Sequence, residues 1–145
     1  MRNPVRLGET AGYLIYRVGR LLRYQAVRFF KENGLEISPE QWEMLMKIAE
    51  LGAPAMGDLV DPAVGDYPNV TRMVSGLESM GFAARTPNPE DRRSFLVSLT
   101  DRGERFLDDV YPSLTEAKEE FFRDLDRRDV TVLISLLKRL EANLE

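Results

Sequence analysis

The chain has 145 residues, carries 20 Lys and Arg against 24 Asp and Glu for a formal net charge of −4, and contains neither cysteine nor histidine. Its length suffices for one domain that buries about two thirds of its unfolded surface. The absence of cysteine excludes disulfides and thiol chemistry, and the absence of histidine removes the usual general base and the commonest metal ligand, so we expect no enzyme, no metal site and no cofactor.

Hydropathy and charge set two further bounds. No apolar run approaches the ~18 residues of a membrane span, and the first residues lead into no signal-type segment, which predicts a soluble cytoplasmic protein without a membrane partner. Residues 38–103 carry six basic and ten acidic side chains, whereas residues 1–37 carry seven and three. Any attraction of the middle segment to phosphate must therefore come from individual arginines and not from a broad basic field.

The first predicted element is a long helix over residues 8–33, which ends at Asn33-Gly34. Apolar residues recur at every third or fourth position, and further ones widen the stripe beyond what one neighbouring helix covers. This width favours a partner subunit, and the alternative is a central helix of a small core. The stripe comprises Leu14, Val18, Leu22, Ala26 and Phe29, widened by Tyr13, Ile15, Tyr16, Leu21, Tyr24, Val27 and Phe30.

Three helices are predicted in the segment that follows. Ser38 begins the first with a capping box to Gln41, a short helix covers residues 56–60, and Asp66 caps a longer helix that ends at Gly81. Helical spacing then assigns the buried face of each long helix. That face holds Trp42, Leu45, Met46 and Ala49 in the first, and Val70, Met73, Val74, Leu77 and Met80 in the last.

The opposite face of the last of these helices carries polar side chains of the types that hydrogen-bond base edges and phosphates. Two short helices before a longer one with a polar amino-terminal face are typical of a helix-turn-helix. The alternative is the ordinary polar surface of any exposed helix. The candidate DNA-contacting residues on this helix are Tyr67, Asn69, Thr71, Arg72 and Ser75.

A β-hairpin is predicted next, with strands over 82–86 and 94–99 joined by a loop of turn formers over 87–92. The loop contains Glu90-Asp91-Arg92-Arg93, in which we expect the carboxylates to hold the guanidinium groups in fixed directions, as a tip entering the minor groove requires. The alternative is an exposed charged turn. Alternation in the second strand predicts that Phe95, Val97 and Leu99 point inward.

Two more helices are predicted after the hairpin. Thr100 caps the first, in which Pro112 is expected to cause a kink or a restart. Asp126, with Asp129 three residues later, favours the start of the last helix. The last helix has a leucine-rich face that favours packing against a second subunit, and the alternative is packing within the chain. That face comprises Val130, Leu133, Leu136, Leu137, Leu140 and Leu144.

These residues resemble the MarR family of winged helix-turn-helix transcription regulators over nearly the whole chain. The resemblance implies a homodimer that binds double-stranded DNA at a pseudo-palindromic operator, with recognition helices in successive major grooves and wings along the minor groove. It assigns recognition-helix roles to Thr71 and Arg72, an orienting role to Asp91, the wing tip to Arg93 and a second phosphate or groove contact to Arg92. The most specific motifs are Val70-Thr71-Arg72-Met73-Val74 with Leu77-Glu78, then Gly81-Phe82, then Pro89-Glu90-Asp91-Arg92-Arg93 through Val97-Ser98-Leu99-Thr100 to Gly103.

The resemblance also implies a ligand site, because related proteins often bind small aromatic or phenolic acids where the dimer helices meet the reading head. The candidate effector pocket consists of Tyr13, Tyr16, Arg17 and Trp42, in which the arginine supplies a cation for a carboxylate. The alternative is that these aromatic residues, at helical spacing, belong to the core.

The chain departs from the family pattern at two places. Leu59-Val60-Asp61-Pro62-Ala63-Val64 stands where a helix is usually uninterrupted, and Tyr67-Pro68-Asn69 replaces the usual small hydroxyl or basic residues at the recognition-helix start. With the acidic middle segment, these departures keep a second hypothesis open, in which the protein is a winged-helix protein interaction module with weak or lost DNA binding.

The predicted fold is mainly α with a small β-hairpin wing. A winged helix-turn-helix over 38–103 is flanked by dimerisation helices over 8–33 and 104–145, within a single MarR-like domain over 1–145. The predicted function is that of a sequence-specific DNA-binding transcription regulator, a dimeric repressor that is relieved by a small-molecule effector.

Overall fold

The computed structural model describes residues 6–145, which form five α-helices and one two-stranded antiparallel sheet. The predicted fold class, mainly α with a β-hairpin, is therefore confirmed. The elements are α1 (Ala11–Glu32), α2 (Pro39–Leu51), α3 (Tyr67–Ser79), β1 (Ala83–Asn88), β2 (Asp91–Leu99), α4 (Asp101–Glu119) and α5 (Arg127–Leu144), with 3₁₀ turns at Leu7–Glu9, Met56–Leu59 and Glu120–Phe122.

The chain divides into two compact units, of which the first ends at Leu107 and the second spans Asp108–Glu145. The first unit contains α1, α2, α3, the hairpin and the first turns of α4. The second contains the remainder of α4 and all of α5. The single domain expected over residues 1–145 stays a prediction.

The start of α2 forms as its sequence predicts. The Ser38 hydroxyl accepts a hydrogen bond from the Gln41 amide at 3.1 Å, and the Gln41 side chain accepts one from the Ser38 amide at 3.0 Å. Pro39 occupies the first helical position, where an amide has no partner to lose. At the other end, Gly52 has a φ of 85°, which a residue with a side chain rarely adopts. Local chemistry therefore sets both ends of α2.

The segment between α2 and α3 is organised by the Asp61 carboxylate. It accepts hydrogen bonds from the Lys47 ammonium at 3.1 Å and from the amides of Ala63 and Val64 at 2.7 and 3.2 Å. These bonds, that from Lys47 first, lower the pKa of the Asp61 carboxyl. The short helix predicted over 56–60 is a 3₁₀ turn, and it is followed by a loop because Pro62 cannot continue a helical turn.

Apolar side chains from α1, α2, the 3₁₀ turn Met56–Leu59, α3, the hairpin and the first turns of α4 form the core of the first unit. Within residues 6–145 no residue with a polar side chain is buried as a whole. Helix α2 buries Met44 and Ile48 together with the expected Trp42 and Leu45. The expectation that Ala49 is buried is wrong, because the residues of α2 after Ile48 are all exposed. The side chains with no exposed surface are Leu45, Ile48, Leu59, Val70, Val74, Leu77 and Val97.

The hairpin is longer than predicted. Its strands pair from Ala83 opposite Leu99 to Asn88 opposite Asp91, which leaves only two residues in the turn instead of the six expected over 87–92. The register shifts between Pro87 and Asn88. Proline is tolerated at such an irregularity in an edge strand, so a turn former does not end the strand here.

Burial along β2 also differs from the predicted alternation. Val97 is fully buried and Leu99 is half-buried, but Phe95 is 44 % exposed. Near the tip the core does not cover the face that carries Phe95, whereas the next residue, Leu96, is half-buried and bridged to Ala55. The Phe95 ring instead packs against the guanidinium of Arg85, whose carbon lies 5.9 Å from the ring centroid.

Thr100 joins the hairpin to α4. Its hydroxyl accepts a hydrogen bond from the Gly103 amide at 3.0 Å and donates one to the Gly81 carbonyl at 2.5 Å, so the predicted cap is confirmed. Helix α4 continues through Pro112 without a restart. Because Pro112 is exposed, water can hydrate the carbonyl that proline leaves unpaired.

Helices α1 and α5 each keep an apolar face exposed. Of all their residues only Phe30 of α1 is buried. The start of α5 is the predicted one, because the Asp126 carboxylate accepts a hydrogen bond from the Asp129 amide at 2.8 Å. No helix within residues 6–145 combines the length and hydropathy of a membrane span. The exposed faces include Leu14, Ile15, Val18, Leu21 and Leu22 of α1 and Leu133, Leu136, Leu137 and Leu140 of α5.

Candidate nucleic-acid interface

The amino-terminal part of α3 presents an exposed polar surface. Asp66 caps the helix by accepting a hydrogen bond from the Asn69 amide at 3.0 Å. Tyr67, Asn69 and Arg72 are exposed, and the Asn69 side-chain oxygen accepts a hydrogen bond from the Arg72 guanidinium. Three of the five candidate residues on this helix are therefore accessible to a ligand, and Asn69 holds Arg72 along the helix surface.

The other two candidates on α3 face the protein. Ser75 is half-buried, and its hydroxyl accepts a hydrogen bond from the Arg85 guanidinium at 2.7 Å. Thr71 is half-buried too, and its hydroxyl oxygen is buried without a hydrogen-bond partner in the described part of the chain. A buried hydroxyl without a hydrogen-bond partner costs free energy. A rotation of the Thr71 side chain that brings its hydroxyl to a polar partner therefore lowers the free energy.

Helices α2 and α3 approach each other closely at Gly76. A Cβ atom at this position would lie 2.7 Å from Nε2 of Gln41, the residue that also closes the capping box of α2. Because glycine has no Cβ, the Gln41 side chain can keep its place in the capping box while the start of α2 packs against α3. This contact gives α2 and α3 the helix-turn-helix arrangement that their sequence order predicts.

The hairpin tip carries the second set of candidates, and all three are exposed. The Asp91 carboxylate accepts a hydrogen bond from the Arg93 amide at 3.0 Å, and Asn88 accepts one from the Glu90 amide at 3.0 Å. Within residues 6–145 no carboxylate pairs with the guanidinium of Arg92 or Arg93, so the expected carboxylate–guanidinium pairing is absent. Asp91 fixes the backbone of the turn and leaves both guanidinium groups exposed.

Arg85 of β1 is a residue that the sequence reasoning did not select. Its guanidinium donates hydrogen bonds to Glu78 at 2.5 Å and to Ser75 at 2.7 Å, both on α3. The side chain is only 26 % exposed. The seven-residue separation between Glu78 and Arg85 crosses a helix, a glycine turn and a strand, so no helical or strand period reveals the pair.

The candidate effector residues do not all come together. Tyr13, Tyr16 and Arg17 line a depression of about 400 Å³ on the surface of α1. Its remaining lining consists of Arg20, Leu21 and Tyr24, and Arg20 donates a hydrogen bond to the Tyr16 hydroxyl at 3.3 Å. Every lining residue comes from α1, so the depression is an open surface.

Trp42 lies elsewhere, in an aromatic cluster of the core. It is 4 % exposed, and its ring centroid lies 5.8 Å from that of Phe30 and 6.0 Å from that of Phe106. The structure therefore does not bring Trp42 to the depression on α1. Its aromatic surface is used for packing, as the alternative interpretation of this residue proposes.

A helix-turn-helix followed by a β-hairpin, with exposed polar residues on its second long helix and arginines at the hairpin tip, defines a winged helix-turn-helix protein. The sequence model of the MarR family matches residues 37–95 of this chain. The chain belongs to the MarR family of transcription regulators, as its motifs predicted, and these are DNA-binding proteins.

Individual relatives agree with this family. An uncharacterized HTH-type transcriptional regulator of Bacillus subtilis, YkoM, is 30 % identical over 114 residues, which cover 79 % of this chain and 73 % of the relative. The HTH-type transcriptional regulator FarR of Neisseria gonorrhoeae is 27 % identical over 108 residues, which cover 74 % of each chain. Both relatives are matched over most of their length.

Solved structures share the fold. A mutant MarR from E. coli, in which a serine replaces a cysteine, has been solved in complex with operator DNA. It has a TM-score of 0.80 at 26 % identity, with 89 % of this chain and 91 % of that chain covered. A probable transcriptional regulator from Pseudomonas aeruginosa has a TM-score of 0.80 at 24 % identity, with 93 % and 99 % covered. The winged helix-turn-helix arrangement is thus the family's own fold.

Proposed function

We propose that this regulator binds a pseudo-palindromic DNA operator as a homodimer and represses transcription, with α3 in the major groove and the hairpin along the minor groove. The observation that carries the proposal is the exposure of Arg72 on α3 and of Arg92 and Arg93 at the hairpin tip of the same compact unit. Because residues 38–103 are net acidic, these arginines supply most of the attraction to phosphate. The operator complex of the similar MarR supports this assignment.

The proposed interface assigns a role to each side chain by its place in the fold. Tyr67, Asn69 and Arg72 contact base edges or phosphates, because they are exposed at the start of α3. Thr71 joins them when its side chain rotates outward, and Ser75 is held at the edge of the surface by Arg85. Asp91 orients the turn that carries Arg92 and Arg93.

Selection of bound duplexes from random DNA tests the proposal directly. We expect enrichment of an inverted repeat whose half-sites are about one helical turn apart, and a footprint that spans both. Recovery of no duplex contradicts the proposal. If a protein partner is recovered under the same conditions, the second candidate, a winged-helix interaction module, replaces it.

One observation favours that second candidate. The Asp61 loop stands between α2 and α3 where the family pattern has a continuous helix, and the surrounding segment is acidic. A loop in place of a helix changes the backbone amides and side chains available for phosphate contacts. In either case we infer a cytoplasmic regulator without catalytic activity, because the named relatives are transcriptional regulators.

The homodimer is proposed from the exposed apolar faces of α1 and α5. Leu137→Glu places a charge within the α5 face, and we expect it to convert a dimer into a monomer in sedimentation experiments. Ser135→Glu is the matched control, because Ser135 lies two positions before Leu137 and therefore about 200° away around the helix. A wild-type chain that sediments as a monomer contradicts the proposal, and so does a Leu137→Glu variant that stays dimeric.

We further propose that relief of repression involves a small aromatic or phenolic acid at the depression lined by Tyr13, Tyr16 and Arg17. Arg17 and Arg20 supply two cations there, and the tyrosines supply aromatic surface. Titration with 4-hydroxybenzoate should show saturable binding that Arg17→Gln weakens and that Arg28→Gln, on the same helix but outside the depression, leaves unchanged. Equal binding by both variants contradicts this site.

A further inference from the structure

Arg85 of β1 contacts both the recognition helix α3 and the second strand of the wing. On one side its guanidinium donates hydrogen bonds to Glu78 at 2.5 Å and to Ser75 at 2.7 Å. On the other side the guanidinium carbon lies 5.9 Å from the centroid of the Phe95 ring. One planar group thus links three side chains from α3 and β2.

The connection between α3 and β1 is a short turn. The chain reverses at Gly81, which has a φ of 77°, a conformation that is freely available only to glycine. The Gly81 amide donates to the Glu78 carbonyl at 2.9 Å, and the Phe82 amide donates to the Leu77 carbonyl at 2.9 Å. These bonds fix the turn itself. The Val97 amide also donates to the Pro54 carbonyl at 2.8 Å and holds β2 to the segment before α3, whereas Arg85 joins β1 to α3 itself through its side chain.

The environment of Arg85 strengthens its bonds. The side chains of Arg85 and Glu78 are 26 % and 31 % exposed, so water screens this ion pair less than the fully exposed pairs of the protein. The fork of a guanidinium also meets two acceptors at once, which fixes direction as well as distance. The Ser75 acceptor lies one helical turn from Arg72, so the link reaches the DNA-contacting part of α3.

We propose that Arg85 is a positioning residue that sets the direction of the wing relative to the recognition helix, so that Arg72 and the arginines of the hairpin tip engage one DNA segment together. The inference rests on the proposed DNA-binding function. On this inference Glu78 favours DNA binding because it holds Arg85 in place, although the negative charge of Glu78 by itself repels phosphate.

Two substitutions separate positioning from simple charge. Arg85→Lys keeps the charge but replaces the fork with one ammonium that cannot reproduce both bonds, and we expect about tenfold weaker binding to the duplex enriched by selection. Glu78→Gln removes a negative charge, which by electrostatics alone would tighten binding, whereas positioning predicts weaker binding. Both measurements are made below the unfolding temperature of each variant, so that loss of stability does not enter.

Matched controls come from the same unit. Arg102→Lys alters another guanidinium that lies over an aromatic ring, 5.6 Å from the centroid of Phe82, without a hydrogen bond to α3 in the described residues. Glu90→Gln removes a negative charge at the exposed turn of the hairpin. We expect Arg102→Lys to bind as the wild type does, and Glu90→Gln to bind equally or more tightly.

A measurement without DNA makes the proposal testable even if no duplex is bound. The chain has no cysteine, so Ser79→Cys and Pro89→Cys allow nitroxide labels on α3 and at the hairpin tip alone. Pulsed electron paramagnetic resonance, with excess unlabelled chain to suppress distances between chains, then reports the spread of distances between the two labels.

We expect Arg85→Lys and Glu78→Gln to broaden or shift this distribution, and Arg102→Lys to leave it unchanged. If the distribution moves but no duplex binds the wild type, the positioning role stands and the proposed DNA-binding function fails. If the distribution is the same in all variants, the positioning role is overturned whatever the DNA affinity. Tighter DNA binding by Glu78→Gln overturns it as well.

Discussion

A Cβ atom at Gly103 would lie 2.1 Å from the carbonyl oxygen of Phe82, far inside van der Waals contact. The same carbonyl accepts a hydrogen bond from the Thr100 amide at 3.0 Å. The first turn of α4 and the start of the hairpin therefore meet at backbone distance, and only glycine fits at this point. This close approach is the physical reason for a glycine at position 103, the last residue of the motif that resembles the MarR family.

The first prediction follows from this contact. Gly103→Ala should lower the free energy of unfolding by about 1–3 kcal/mol or more, because backbone must move to admit the methyl group. Urea unfolding followed by circular dichroism, at fixed protein concentration, measures the change. Gly57→Ala is the control, since a Cβ there meets nothing within 4 Å, and we expect little change. Equal stability of the two variants would contradict the contact.

The second prediction concerns the approach of α2 to α3. At Gly76 a Cβ would meet only the end of the flexible Gln41 side chain, at 2.7 Å. We expect Gly76→Ala to be nearly neutral, because the ~1 kcal/mol gained in helix propensity is offset by displacing Gln41 from the capping box. In a Gln41→Ala background the same substitution should stabilise the protein. A double-mutant cycle measures this, and strict additivity would refute the argument.

The third prediction concerns pH. The Lys47 ammonium, followed by the Ala63 amide, lowers the pKa of Asp61 below its ordinary value of 3.8. The charged form is therefore favoured in the folded state, so this stabilisation is fully present above pH 3.8 and is lost as the pH falls through the lowered value. Because the Asp61 side chain is 41 % exposed, we expect no more than about 1 kcal/mol.

Its test compares wild type with Asp61→Asn by urea unfolding across this range. The stability difference should be largest above pH ~5, shrink below pH ~3.8 and become smaller in a Lys47→Met background, which removes the main cause. A difference that is constant with pH would show that the charge of Asp61 contributes nothing.

The fourth prediction concerns salt and the exposed arginines. Arg72→Ala and Arg93→Ala should each weaken binding to the selected duplex and lower the slope of log affinity against log salt concentration by about one. Fluorescence anisotropy at several salt concentrations measures both effects. Arg123→Ala is the control, because this residue lies outside the proposed interface and pairs with Glu120. Unchanged slopes for both interface variants would show that these arginines do not contact phosphate.

Much of the fold follows from local sequence. Ser38, Asp66, Thr100 and Asp126 each cap the helix that the sequence places after them, because a capping side chain bonds to amides only two or three residues away. The helical repeat of Val70, Val74 and Leu77 identified the buried face of α3 for a similar reason. Interactions that span one or two helical turns can therefore be predicted from the order of residues.

Other features depend on which elements meet in space. Periodicity assigned Phe95 to the interior, but the core does not cover the face of the hairpin that carries it, so its ring is exposed and packs on Arg85. The family resemblance suggested a pocket that joins Trp42 to the tyrosines of α1, but packing places Trp42 against Phe30 and Phe106. Ser75 is polar and on the predicted face, yet its hydroxyl is bonded to β1.

The helix starts, the arginine-tipped hairpin and the family could all be predicted from the order of residues, because capping, hydrophobic period and motif spacing are local properties. Folding in three dimensions decided which polar residues of α3 are exposed, how closely α4 approaches Phe82 and which residue links the wing to the recognition helix. These depend on distances between atoms far apart in the chain. Glu78, Arg85 and Phe95 meet only because the turn at Gly81 folds the hairpin back along α3.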